Sequence, residues 1–239
     1  MRGTLRQLVF GMTTAGGLLL SQAASAAITQ ITLDPADVGT TFTVNYVAVS
    51  DDNFANKSQV TAEADFKLVS FAGNTITFTV NLENTTNPAL FTNVNLTGYG
   101  FDMSSTFTKV TTTSTVFPAF DNGKNMPQVG KLDFCAIAKD KGGSCAGAGN
   151  GNLGLEIGKD TTFNLTFTLS GPATSVTLSS FAVRFQAIDP VGGRTEDFSA
   201  VGIGTITPAV PEPATWAMML MGFGLVAHRL RRRELQLAA

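Results

Sequence analysis

The sequence predicts an all-β domain, an antiparallel β-sandwich of jelly-roll or immunoglobulin-like type, set between two terminal segments of different character. Three observations predict it. Several runs alternate apolar and polar residues with period two and are rich in Thr, Val, Ile and Phe, the side chains that suit a pleated, half-buried surface. Gly-, Asn- and Pro-containing turn signals separate these runs at short intervals. Between residues 27 and 213 no stretch keeps an apolar period of 3.6 over two turns.

The first segment, residues 1–26, reads as a secretory signal peptide. Arg2 and Arg6 supply the positive start, Leu8 to Leu20 the apolar stretch, and Ala24-Ser25-Ala26 the small-residue cleavage site. Cleavage after Ala26 makes Ala27 the first mature residue, and the expected partners are the Sec export path and signal peptidase.

The ectodomain is assigned to residues 27–207. Alternation is clearest in Thr41–Val49, with Phe42, Val44, Tyr46 and Ala48 on one face. It recurs in Thr75–Leu82, through Ile76, Phe78, Val80 and Leu82, and in Thr161–Leu169, through Phe163, Leu165, Phe167 and Leu169. Ser175–Ile188 reads as two strands or one long bent strand. Shorter runs predict strands at Ile28–Leu33, Val60–Phe71, Val94–Phe101, Phe107–Thr113, Lys131–Ala136 and Val201–Thr207. The turn signals are Gly73-Asn74, Asn87-Pro88, Asp121-Asn122-Gly123, Gly142-Gly143, Gly171-Pro172 and Gly192-Gly193. Cys135 and Cys145 both lie in the exported part, where oxidation is expected, so they predict a disulfide closing a Gly-containing loop. Their spacing does not suit a C-x-x-C pair, and no histidine stands nearby to complete a zinc site.

The chain ends in three parts in a fixed order. Pro211-Glu212-Pro213 comes first, then an apolar segment from Ala214 to Ala227, then Arg229, Arg231, Arg232 and Arg233. The prolines stop a helix from running back into the domain. The apolar segment predicts a short transmembrane helix, and the arginines stay cytoplasmic, with residues 234–239 as a cytoplasmic tail. Fourteen residues span about 21 Å, short of a full bilayer core.

Residues 208–233 resemble the PEP-CTERM family of bacterial sorting signals, and Trp216 and Ala217 match its PEPxxWA subtype. The resemblance implies recognition at Pro211, Glu212 and Pro213 by an exosortase-like membrane enzyme, supported by Trp216, Ala217 and the basic Arg231, Arg232 and Arg233. It also implies export across the inner membrane of a Gram-negative bacterium that makes extracellular polysaccharide, transient anchoring, and a final place at the cell surface or outside it. The Cys- and Gly-rich segment from Phe134 to Gly154 resembles the cistern subgroup of that family.

The whole chain of 239 residues has a formal charge of −2. Without the arginines of the two terminal segments and without Glu234, 10 basic residues face 17 acidic ones, so the exported part carries about −7. No basic stripe is present to neutralise phosphates, which excludes nucleic acid as a partner.

The only histidine is His228, in the C-terminal signal. Ser-His-Asp and Cys-His catalysis are therefore excluded in the domain. Nothing resembles a nucleophile elbow, a P-loop or a dinucleotide fingerprint, and the GAGNGNLG run at 147–154 lacks the lysine of a phosphate loop. Asp102, Asp189, Glu196 and Asp197 are the carboxylates from which a glycosidase pair would have to come. The sequence predicts no enzyme and no obligatory cofactor.

Calcium is the one metal considered, with Asp51, Asp52 and Asn53 as candidate ligands in a loop and Asp189 and Glu196-Asp197 as a second set. Asn56, Asn84, Asn95 and Asn164 begin N-x-S/T sequons. Tyr99, between Gly98 and Gly100, is the candidate exposed aromatic for a ligand.

The function expected is that of an exported, exosortase-processed cell-surface or matrix protein. Its role is structural or adhesive, linked to exopolysaccharide or biofilm. The alternative is a carbohydrate-binding module for extracellular polysaccharide, assisted by calcium.

Overall fold

The computed structural model describes residues 27–49, 54–120, 125–138, 145, 153–192 and 198–207. The predicted signal peptide, transmembrane helix and cytoplasmic tail lie outside these residues. Among the described residues there is no α-helix, and no helix is long and apolar enough to cross a membrane.

The strands in chain order are β1 (Gln30–Leu33), β2 (Thr41–Val49), β3 (Thr61–Ala72), β4 (Thr75–Glu83), β5 (Phe91–Met103) and β6 (Phe107–Thr112). They continue with β7 (Ala119–Phe120), β8 (Asn125–Met126), β9 (Gly130–Lys131), β10 (Phe134–Ile137), β11 (Asp160–Leu169), β12 (Val176–Pro190) and β13 (Phe198–Thr207). In β2, β4 and β11 the predicted apolar residues are the buried ones, residue for residue.

The two-sheet sandwich is corrected. The main strands form one antiparallel sheet in the order β6-β11-β4-β3-β2-β13-β12-β5-β10-β7, with β1 paired to β12. Hydrogen bonding runs unbroken through β2, β13 and β12, where a sandwich would part into two sheets. The sheet instead curls so that its halves face each other. Phe66 of β3 meets Phe101 of β5 and Phe181 of β12 at ring-centroid distances of 6.0 and 5.7 Å. Phe167 of β11 meets Phe134 of β10 at 5.1 Å. Edge-to-face packing of this kind contributes beyond the apolar area buried.

The curl has local causes. β12 is one long strand with register shifts against β5, and Ser180 and Ala187 within it have φ of 53° and 50°. Such bulges bend a strand and increase its twist.

At the end of β4, Asn84 staples this half of the sheet to β5 in the other. Its side chain is fully buried, and Nδ2 donates to the carbonyl oxygens of Val94 and Leu155, both at 2.9 Å. Its Oδ1 accepts from the Thr86 amide at 3.3 Å, and Leu96 and Leu155 form an isolated bridge beside it.

A smaller apolar cluster lies apart from the main core. Met126, Leu132, Cys135, Ile137 and Cys145 pack with Ala182 and Val201. The Cys135–Cys145 disulfide is formed, with Cα atoms 6.4 Å apart. By the chain-entropy model a loop of this size contributes about 2–3 kcal/mol.

Candidate functional site

The two ends of the described chain meet. β12 pairs with β13 from Ala182 opposite Ile203 upward, but its lower end, Val176 to Ser179, pairs with β1 instead. The N-terminal segment fills the gap this opens. Ile28 bridges to Ile206, whose amide donates to the Ile28 carbonyl at 2.7 Å. On the other side of β13, Thr207 is opposite Thr43, and Asn45 Nδ2 donates to Thr207 Oγ1 at 2.8 Å. Thr207 therefore ends a central strand held from both sides.

Only Pro208, Ala209 and Val210 separate Thr207 from Pro211. Fully extended, that path reaches about 14 Å. The predicted leader cut, after Ala26, leaves only Ala27 before Ile28. The predicted leader cut and the sorting motif thus lie next to the domain at one pole. The opposite pole is where β2 ends, β13 begins and β12 turns at Val191.

Residues 209–233, which follow this anchored strand, match the PEP-CTERM protein-sorting motif. The chain carries a PEP-CTERM sorting signal. That signal marks an exported protein, transiently anchored in the membrane of a Gram-negative bacterium and processed by exosortase, itself a membrane enzyme. No curated protein and no solved structure matches the chain.

The predicted recognition residues Pro211, Glu212, Pro213, Trp216, Ala217, Arg231, Arg232 and Arg233 lie outside the described residues, as do Ala24 and Ala26 of the predicted cleavage site. Ala27 is exposed at the start of the described chain.

Tyr99 is corrected. It is 1% exposed and packs against Phe117, Phe134 and Phe163 at 5.4, 5.7 and 5.7 Å. The flanking glycines mark a close approach of strands, not an exposed turn. A Cβ on Gly98 would lie 3.1 Å from the Ala136 carbonyl oxygen, and one on Gly100 2.5 Å from that of Phe134. The Tyr99 hydroxyl has no hydrogen-bond partner, and burial first, then the nearby Tyr46, raises it well above the ordinary tyrosine range. Among the described residues no Phe or Tyr is exposed, and Phe107, Phe120 and Phe198 are half-buried.

The carboxylates are not brought together. Asp102 sits opposite Ser179 and Asp189 opposite Asn93, at the two ends of β5. Nine residues of strand separate those ends by about 30 Å, far beyond the span of a glycosidase pair. Asp102 has a structural partner instead. Its Oδ1 accepts from the Asp133 amide, and Asp133 Oδ2 accepts from the Met103 amide, both at 3.0 Å.

Glu196, Asp197 and the calcium candidates Asp51, Asp52 and Asn53 lie outside the described residues. Among the described residues no group of three or more His, Cys, Asp or Glu side chains gathers to hold a metal. Of the sequons, Asn84 and Asn95 are buried, whereas Asn56 and Asn164 are exposed.

The polar outer face of β4 and β11 is bonded to itself. Thr77 bonds Thr166 at 3.1 Å, Thr79 Oγ1 donates to Asn164 Oδ1 at 2.9 Å, and Asn81 Nδ2 donates to Thr162 Oγ1 at 2.8 Å. One row is acidic. Glu63 lies opposite Glu83, which lies opposite Asp160. Burial, then Asp65, then Glu83 raise the Glu63 carboxyl above its ordinary range.

Proposed function

We propose that the protein is a non-catalytic structural or adhesive component of the extracellular layer. Its sorting signal holds it at the membrane until exosortase cuts near Pro211-Glu212-Pro213. The domain then works outside the cell, in a matrix rich in exopolysaccharide. The observation that carries this reading is the sorting motif placed within a few residues of a strand anchored on both sides. A domain that ends in a central strand arrives at the processing enzyme as a finished, rigid body. The self-bonded Thr and Asn face and the acidic charge suit a durable, solvated surface.

The test replaces Pro211, Glu212 and Pro213 with alanine in a host that has exosortase and makes exopolysaccharide. The wild type is expected outside the membrane fraction and retained with the matrix, and the variant is expected to stay in the membrane fraction. Equal release of both would remove the sorting step. Wild type that washes free of the matrix as readily from the parent host as from a polysaccharide-deficient one would remove the adhesive role.

A further inference from the structure

The far end of β12 carries a bulge that changes which face its residues take. Gln186 lies opposite Asn95 and Asp189 opposite Asn93, so three steps on β12 match two on β5. Ala187, inside the bulge, has φ of 50°, a left-handed conformation that an alanine adopts at a cost. In a regular strand residues three apart point to opposite faces, and Asp189 would turn away from Gln186. The bulge returns it to the same face. Four oxygen-bearing side chains, Asn93, Asn95, Gln186 and Asp189, then form a two-by-two block. Directly opposed Cβ atoms in such pairs are about 4.5–5.5 Å apart.

Two of these side chains present oxygens that are shielded from solvent and accept no hydrogen bond, Gln186 Oε1 and Asp189 Oδ1. A buried acceptor without a donor is costly, and a carboxylate oxygen more so. The nearest cation on the same strand is Arg184, which lies opposite Gly98 and Val201, and its guanidinium Nη2 donates to Ser199 Oγ of β13 at 2.8 Å. That bond commits one guanidinium nitrogen to β13.

We propose that this block is a calcium subsite, with Asp189 as the charged ligand and Gln186 as a neutral oxygen ligand beside it. Calcium takes six to eight oxygens in adaptable geometry and accepts amide carbonyls. One carboxylate with amide oxygens makes a low-charge site, so binding falls in the range of extracellular modules, about 0.1–1 mM. Magnesium, which demands near-ideal octahedral geometry and sheds water reluctantly, fits less well. The site lies at the pole opposite the two terminal signals, where the exported domain meets the outside medium.

The test uses the exported protein purified from its host in chelator and titrated with calcium chloride, followed by thermal unfolding and by calorimetric binding. The midpoint is expected to rise saturably, by about 3–5 °C at ten times the dissociation constant. Asp189→Asn keeps the shape and is expected to lose that rise. Ala187→Gly relieves the strained position, keeps the bulge, and is expected to retain it. Should Asp189→Asn fold poorly, Gln186→Met is the second variant, expected to weaken calcium binding at least threefold. A wild type unmoved by calcium up to about 10 mM overturns the proposal. So does a full calcium response in Asp189→Asn, which would send the ion elsewhere, as around Asp51 and Asp52.

Discussion

The amide of Ile206 donates to the carbonyl of Ile28, 178 residues earlier in the chain, and this bond splints the last strand of the domain. An amide in a strand points to one side only, and here that side belongs to the N-terminal segment. Removing residues 27–29 is therefore expected to leave the domain folded but to expose the Ile206 amide. Hydrogen exchange should show its protection falling at least tenfold, with amides deep in β4 and β11 unchanged. Unchanged protection of Ile206 would mean that the N-terminal segment does not hold this end.

Asn84 is expected to be the most sensitive polar position in the fold. Asn84→Ala removes the Asn84 partner of the buried Val94 carbonyl and Thr86 amide, each such loss costing about 1–3 kcal/mol, while the Leu155 carbonyl keeps the Leu96 amide. A loss of about 2–5 kcal/mol in urea unfolding is predicted. Thr79→Ala, on the exposed face, is expected to stay within about 0.5 kcal/mol of the wild type.

Tyr99 gives the opposite contrast. Its hydroxyl is buried and unpaired, so Tyr99→Phe removes a polar group that has no partner. The Phe variant is expected to be as stable as the wild type or more so, whereas Tyr99→Ala opens a cavity and costs about 3–5 kcal/mol. Thermal unfolding of the two variants distinguishes this core role from a ligand-facing one.

Glu63 predicts a pH dependence of definite sign. Its folded-state carboxyl titrates above its unfolded value, through burial, Asp65 and Glu83 in that order. The folded state therefore binds the proton more readily, and stability from this group falls as pH rises through the interval between the two values. Glu63→Gln is expected to unfold at a higher temperature than wild type at pH 7. The difference should shrink as pH falls toward and below the unfolded carboxyl range. A Glu63→Gln variant less stable at pH 7 would contradict this.

Much of the fold is legible in the sequence, because alternation is a property of a single strand. Phe42 to Ala48 and Phe163 to Leu169 declare their buried face without reference to any neighbour. Whether strands form two sheets or one depends on pairings distant in sequence. The β2-β13 contact joins residues more than 150 positions apart, and nothing local announces it. Asn84 stands in an Asn-Thr-Thr run that reads as solvated surface, and its burial becomes visible only when Val94 and Leu155 are brought to it. Tyr99 misleads because glycines next to an aromatic signal a turn as readily as a close strand crossing. Ala187 carries no sequence mark of its bulge. The sorting signal is the reverse case. Its order of proline box, apolar run and arginines is itself the message, so it is readable without any fold.

The most direct measurement is mass spectrometry of the terminal peptides of the protein recovered from its native host, with membrane and extracellular fractions kept apart. The prediction is an extracellular product that begins at Ala27 and ends near Pro211-Glu212-Pro213. A chain intact through Ala239 and confined to the membrane fraction would contradict it.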